Sequence, residues 1–173
     1  AMACSQQKAT QNGGFKQIGT LEDEGKLVVL TRSTTTSYFK DKDDSPSGFE
    51  YELVESFAKA YGLKTWYIAK DSTAEVIKAI RRGEGHIAAA GLSITEDRKE
   101  FLTFSDGYKE VHQSVVCEKR QKVKSLDDLK KLQILVSKGT SQNEVLADLK
   151  ENKREIAFVA EDATSESILE KIW

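Results

Sequence analysis

The sequence predicts an α/β fold of two lobes with mainly parallel sheets. Three observations carry this. Short apolar runs rich in β-branched residues alternate with segments of helical period from Lys26 to Ala90, the pattern of right-handed βαβ units. Glycines and capping residues fall where those helices should start and stop. After a charged connector, the order of strand, Gly-containing turn and helix start recurs from Gln133 onward.

Each element has its own signal. Residues 1–25 are polar and Gly-rich and read as a flexible tether, with no regular structure expected in the first twenty. Lys26–Thr31 is a buried strand, and Arg32–Ser47 a polar loop. Phe49, Leu53, Val54, Phe57, Ala58 and Tyr61 recur at helical spacing, and Gly62 is a natural terminator. Leu63–Ile68 is a second strand. Ser72 and Glu75 cap the next helix, whose apolar face is Val76, Ile77, Ala79 and Ile80 and which Gly83 stops. His86–Ala90 is the third strand, and Val111–Cys117 a strand leaving this unit. Glu118–Lys124 is a charged connector. A short helix from Ser125, strand Gln133–Val136, turn Lys138–Asn143, helix 141–151, strand 155–159 and helix 163–173 follow. The expected partition is tether 1–25, first lobe 26–110, hinge 111–120 and second lobe 121–173.

Composition sets bounds. The chain has 173 residues, 39% of them hydrophobic and 31% charged, enough for two small lobes with cores. A net charge of −2 implies neither nucleic acid nor an anionic membrane surface as a partner. No run reaches the roughly 18 apolar residues of a transmembrane helix. Cys4 and Cys117 lie far apart and make no disulfide framework. Cys117 reads as a buried small hydrophobe. Cys4 follows Ala-Met-Ala, as at the end of a bacterial lipoprotein signal, and is a lipidation candidate; the alternative is an idle thiol.

The chemistry concentrates in Ala88-Ala-Ala-Gly-Leu-Ser-Ile-Thr-Glu-Asp-Arg98. Ser93 and Glu96 have capping-box spacing, Gly91 permits close approach to the backbone, and Arg98 supplies a planar fork that matches a carboxylate. In parallel sheets ligands bind outside the carboxyl ends of strands, where both this turn and the Arg32–Phe39 loop belong. The stretch is a carboxylate cradle or, equally, a capped surface helix with a solvated arginine. His86 and His112 stand on apparent strands without metal-ligand spacing and read as structural. Asp43-Asp44 reads as solvated loop, and Trp66 and Trp173 as packing residues. No dinucleotide, P-loop or nucleophile-elbow motif is present, so no catalytic residue, metal or cofactor is assigned.

Four stretches together carry a resemblance: Gly-Phe-Glu-Tyr-Glu-Leu (48–53), Ala-Ala-Gly-Leu-Ser-Ile-Thr-Glu-Asp-Arg (89–98), Phe-Ser-Asp-Gly-Tyr (104–108) and Lys-Gly-Thr-Ser (138–141). In this order they resemble the periplasmic amino-acid-binding proteins of ABC importers, the type II solute-binding family, over residues 26–173. More narrowly, residues 30–39 followed by 48–53 resemble the sensor modules fused to peptidoglycan-cleaving lytic transglycosylase domains. The resemblance implies a periplasmic-binding-protein-like fold and a ligand between the lobes, either an amino acid or a peptidoglycan stem peptide. Arg98 would clamp its carboxylate, helped by Ser93 and the backbone at Gly91. Thr140 and Gly139 would reach it from the second lobe, and Tyr38 or Phe39 would wall it. Arg32 stands where the family commonly has an acidic residue, which disfavours a cationic side chain and suits an acidic group. A non-catalytic, periplasmic module is implied, tethered to the outer membrane if Cys4 is acylated. It would control a C-terminal transglycosylase domain lying outside this chain. The alternative is a fragment of an importer's binding protein. The family's second lobe needs more chain than ends at Trp173, and sheet edges left exposed would favour a dimer.

Overall fold

A computed structural model describes residues 2–5, 17–151 and 156–172. The chain divides into two compact units, Ala1–Lys109 and Glu110–Trp173.

The first unit is built on a five-stranded sheet in the order β5-β2-β6-β1-β7. These strands are β1 (Ala3–Ser5), β2 (Leu27–Arg32), β5 (Thr65–Lys70), β6 (Ile87–Ala88) and β7 (Leu102–Phe104). β2 runs parallel to β5, from Leu27 opposite Thr65 to Arg32 opposite Lys70, and parallel to β6. β1 is antiparallel to both β6 and β7, so β6 and β7 themselves run the same way. The helices are α1 (Leu21–Glu24), α2 (Phe49–Ala60), α3 (Thr73–Arg81) and α4 (Glu96–Lys99).

β2 is the centre of the unit, and its unbroken apolar run has a physical reason. Side chains alternate across a strand, and here both faces are covered. Leu27 and Val29 pack with Val54 and Ala58 of α2. Leu30 packs on the other face with Val76, Ala79 and Ile80 of α3 and with Leu102 of β7. Val29, Leu30, Val54, Val76 and Ile80 are wholly buried. Each such side chain contributes about 1.5–3 kcal/mol by leaving water.

Three expectations are corrected. Residues 1–25 are not all tether. β1 lies in the sheet, and α1 is a capped helix in which Thr20 and Asp23 hold each other's backbone N–H groups. Thr-x-x-Asp was a legible capping signal. β1 had none, since its place comes from the unpaired edges of β6 and β7. The stretch 6–16 lies outside the described residues. Second, Val111–Cys117 is not a strand: Val111, Val115 and Val116 are 50–62% exposed, and no strand among the described residues pairs with them. Without a ladder partner, β-branched residues alone do not make a strand. Third, the Arg32–Ser47 loop contains an antiparallel ribbon, β3 (Phe39–Lys40) with β4 (Pro46–Ser47). The Asp41 carboxylate shapes its tip by accepting from the Asp43 and Ser45 N–H groups. Asp43 and Asp44 are exposed there.

The second unit pairs two parallel strands, β8 (Gln133–Ser137) and β9 (Ala157–Glu161), with Gln133 opposite Ala157 and Ser137 opposite Glu161. α5 (Leu126–Leu129), α6 (Ser141–Glu151) and α7 (Ser165–Glu170) accompany them. Leu129, Val136, Ile156 and Ile168 are buried. Trp173 lies outside the described residues.

Candidate functional site

β2 and β6 are adjacent and parallel, so the chain leaves both at the same edge of the sheet. After β2 it turns back on itself, with the Ser37 and Tyr38 N–H groups donating to the Thr34 carbonyl. This turn lies hard against the start of α2. The Thr36 and Ser37 carbonyls accept from the Glu50 and Tyr51 N–H groups at 3.2 and 3.0 Å, which satisfies donors that a helix start leaves without internal partners. Gly48 makes the approach possible: its φ is +133°, and a Cβ there would stand 2.5 Å from the Ser37 carbonyl oxygen.

Glu50 joins three parts of this region. Its side chain is buried at 2% exposure. One carboxylate oxygen accepts from the Ser37 hydroxyl and the Gly91 N–H, both at 2.6 Å. The other accepts from the Tyr108 hydroxyl at 2.5 Å. Burial, the hydrogen bond to Glu50 and the Glu50 charge, in that order, push the Tyr108 phenol well above its ordinary value near 10.

After β6 the chain turns at Gly91, whose φ is +65°. Arg98 Nη1 donates to the Ser93 carbonyl at 3.1 Å. Arg98 is 2% exposed, so it is not a solvated surface arginine. The helix cap differs from the Ser93–Glu96 box expected. Thr95 is the cap residue and accepts from the Arg98 N–H, while the Glu96 carboxylate pairs with Lys99 at 2.7 Å. With hydroxyls at both 93 and 95, spacing alone did not choose between them, and Ser93 serves through its carbonyl instead.

The structure therefore brings Gly91, Ser93 and Arg98 together in the first unit. The remaining anticipated residues have other surroundings. Arg32, at the end of β2, donates from Nη1 to the Thr73 hydroxyl at 3.1 Å, and its Nε is buried without a hydrogen-bond partner. Tyr38 stacks on Tyr67 at 5.1 Å between ring centres and meets Tyr51 edge-on at 5.7 Å. Burial and a hydrogen bond to Glu55 hold the Tyr67 phenol far above its ordinary range. Phe39 is half-buried in β3, opposite Ser47. Thr140 and Gly139 belong to the second unit. The Thr140 hydroxyl donates to the Ser137 carbonyl at 2.7 Å and accepts from the Asn143 N–H, and the Gly139 N–H donates to the Asn143 side chain.

Sequence pattern alone does not single out Glu50, Ser37 or Tyr108. Glu50 did carry a signal: with Val54 and Ala58 it lies at i, i+4 and i+8, a carboxylate on the buried stripe of α2. Such a group must be hydrogen-bonded or ion-paired.

Other chemistry is sparse. No group of three or more His, Cys, Asp or Glu among the described residues is placed to hold a metal. His86 is structural: Nδ1 accepts from the Val28 N–H at 2.9 Å, which leaves the Nε2 proton for the Gly19 carbonyl at 3.1 Å. His112 is exposed. Trp66 does not pack as expected, because its position on edge strand β5 faces outward. It is 57% exposed, with Lys26 Nζ 4.8 Å from the ring centre. Cys117 is half-buried and its thiol points at the Gln121 carbonyl. Cys4 lies in β1. Among the described residues no helix is long and apolar enough to cross a membrane.

Comparison with known proteins gives this geometry its context. Residues 27–170 match the bacterial extracellular solute-binding proteins, family 3. A membrane-bound lytic murein transglycosylase F of Maricaulis maris (strain MCS10) is 37% identical over 131 residues, 75% of this chain and 28% of that protein. The protein of the same name from Stutzerimonas stutzeri (strain A1501) is 36% identical over 149 residues, 85% of this chain and 30% of that protein. The chain thus spans under a third of the length of these relatives. Among solved structures, an ancestral arginine-binding protein bound to arginine superposes with a TM-score of 0.70 at 31% identity, covering 84% of this chain and 65% of that one. The ancestral amino-acid-binding protein AncCDT-1 gives 0.70 at 27% identity, covering 87% and 66%. The fold is the periplasmic-binding-protein type, α/β with mainly parallel sheets. By its matched residues, the chain belongs to the bacterial extracellular solute-binding proteins, family 3.

Proposed function

We propose that this chain is a ligand-binding module that holds the carboxylate of an amino acid or a peptidoglycan stem peptide on Arg98. In a longer periplasmic protein it would regulate a lytic transglycosylase domain without itself performing catalysis. The observation that carries the reading is Arg98: a buried guanidinium anchored on the Ser93 carbonyl, on the loop that leaves the carboxyl end of β6. A planar, fixed fork suits the two oxygens of a carboxylate. Ser93 and the Gly91 backbone would frame the ligand, and Tyr38 or Phe39 would wall it. Arg32, ending the neighbouring strand, favours a ligand with an additional acidic group, as stem peptides carry. The names of the curated relatives support the transglycosylase context. Acylation of Cys4 would tether the protein to a membrane.

A second reading, an amino-acid-binding component of an importer, is favoured by the arginine-bound ancestral neighbour. Titration of the isotope-labelled chain with a purified stem tetrapeptide, and separately with L-arginine and L-glutamine, separates them. Saturable NMR shifts at Gly91, Ser93 and Arg98 with the tetrapeptide, and weaker or none with the free amino acids, are expected. Shifts with a free amino acid alone favour the importer reading. No shift at these residues with any of the three overturns the carboxylate site.

A further inference from the structure

Glu50 is unusual among the buried groups of this chain. It is a carboxylate at 2% exposure whose hydrogen-bond partners are all neutral: a serine hydroxyl, a backbone N–H and a phenol. They come from three separate stretches, the turn after β2, the turn after β6 and the segment after β7. A helix residue used only for packing on this stripe would be apolar, like Val54 and Ala58 below it. A desolvated carboxylate is retained at a cost, and its bonds to neutral donors are shorter and stronger than those between neutral groups. The same oxygen takes both Ser37 and Gly91, so the two turns cannot move apart without breaking a charge-assisted bond. Ser93, two residues beyond Gly91, holds Arg98.

We infer that Glu50 is the positioning residue of the Arg98 site: its buried carboxylate locks the Ser37 turn and the Tyr108 segment to the Gly91 turn, and so fixes the Ser93 carbonyl on which the guanidinium rests. The inference deepens the proposed function and rests on it for its binding consequence. The lock itself is a property of the unliganded chain. Preformed geometry saves the ordering cost that a loose site would incur on binding. Glu50 therefore acts on affinity without touching the ligand.

The test compares the full chain with Glu50→Gln, which keeps the shape and removes the charge, and with Glu52→Gln, an exposed control on the same helix. Native-state amide exchange at Gly91 and affinity for a stem tetrapeptide are read on each. Glu50→Gln should exchange Gly91 about tenfold faster and bind about tenfold more weakly, as expected for one charge-assisted bond reduced to a neutral one. Glu52→Gln should change neither. Gly91 exchange in Glu50→Gln within twofold of the parent overturns the lock, and unchanged affinity despite faster exchange overturns the positioning role. If the parent chain does not bind the tetrapeptide, the functional reading fails, while exchange still decides the lock. If Glu50→Gln does not fold, Ser37→Ala decides: it removes one donor from the shared oxygen, and Gly91 exchange should rise at least threefold or the lock is refuted.

Discussion

Gly48→Ala should be among the most damaging single-methyl changes in the first unit. The added Cβ would meet the Ser37 carbonyl oxygen at 2.5 Å, its carbon at 2.8 Å and the Tyr38 nitrogen at 3.1 Å. All three are backbone atoms, so no side chain can swing aside. A residue with a side chain also resists φ of +133°, at a cost of about 1–3 kcal/mol. Relief requires the turn to back away from α2, which weakens the bonds from Glu50 and Tyr51 N–H to the Thr36 and Ser37 carbonyls, about 1 kcal/mol each. The expected loss is thus about 3–5 kcal/mol, a large fraction of a small domain's stability. Gly62→Ala is the control: φ is +66° there, but nothing lies within 4 Å of the added atom, and about 1 kcal/mol is expected. Exchange of the Val29 and Leu30 amides of β2, which lie in the first unit, under increasing urea is the assay. A Gly48→Ala loss no larger than that of Gly62→Ala would refute the close-approach argument.

Two further outcomes follow from the same contacts. Tyr108 is held neutral in the fold, with its phenol raised above the ordinary value near 10. Its contribution is therefore fully present below pH 10, the unfolded value, and is lost as pH rises beyond it. Tyr108→Phe should lessen the fall of Tm above pH 10 relative to the parent, although Tyr67 and Tyr51, also raised, keep part of the slope; identical slopes would contradict this. His86→Ala should destabilise the first unit by about 1–3 kcal/mol in urea titrations, since the buried Val28 N–H loses its acceptor. A loss below about 0.5 kcal/mol would mean that water replaces the imidazole there.

The parts of the fold that sequence disclosed are those where local pattern and tertiary role agree. β2 read as a buried strand because both its faces are covered, and α3 read as a helix because Ser72 caps it and Val76, Ala79 and Ile80 share one face. What stayed hidden depends on partners distant in sequence. Ala3–Ser5 becomes a strand because Ala88 and Phe104 flank it, and nothing within its three residues says so. Val111–Cys117 shows the converse, strong β propensity with no ladder to join among the described residues. At the site, Arg98 was legible from its motif, but Thr95 rather than Ser93 caps its helix. Glu50 stays hidden in the sequence because an acidic residue in a helix's first turn has an ordinary explanation in the helix dipole. Its three donors lie 13, 41 and 58 residues away.

The central claim, that Arg98 is a carboxylate clamp, is tested most directly by NMR titration of the parent chain and Arg98→Lys with the same stem tetrapeptide, at a temperature where both are folded. A lysine keeps the charge and loses the planar fork, so one of two charge-assisted bonds is removed, at about 1.5–3 kcal/mol. The account predicts affinity at least tenfold weaker, with the tetrapeptide-induced shifts at Gly91 and Ser93 reduced at equal concentration. Equal affinity for the two proteins, with those shifts intact, would contradict it.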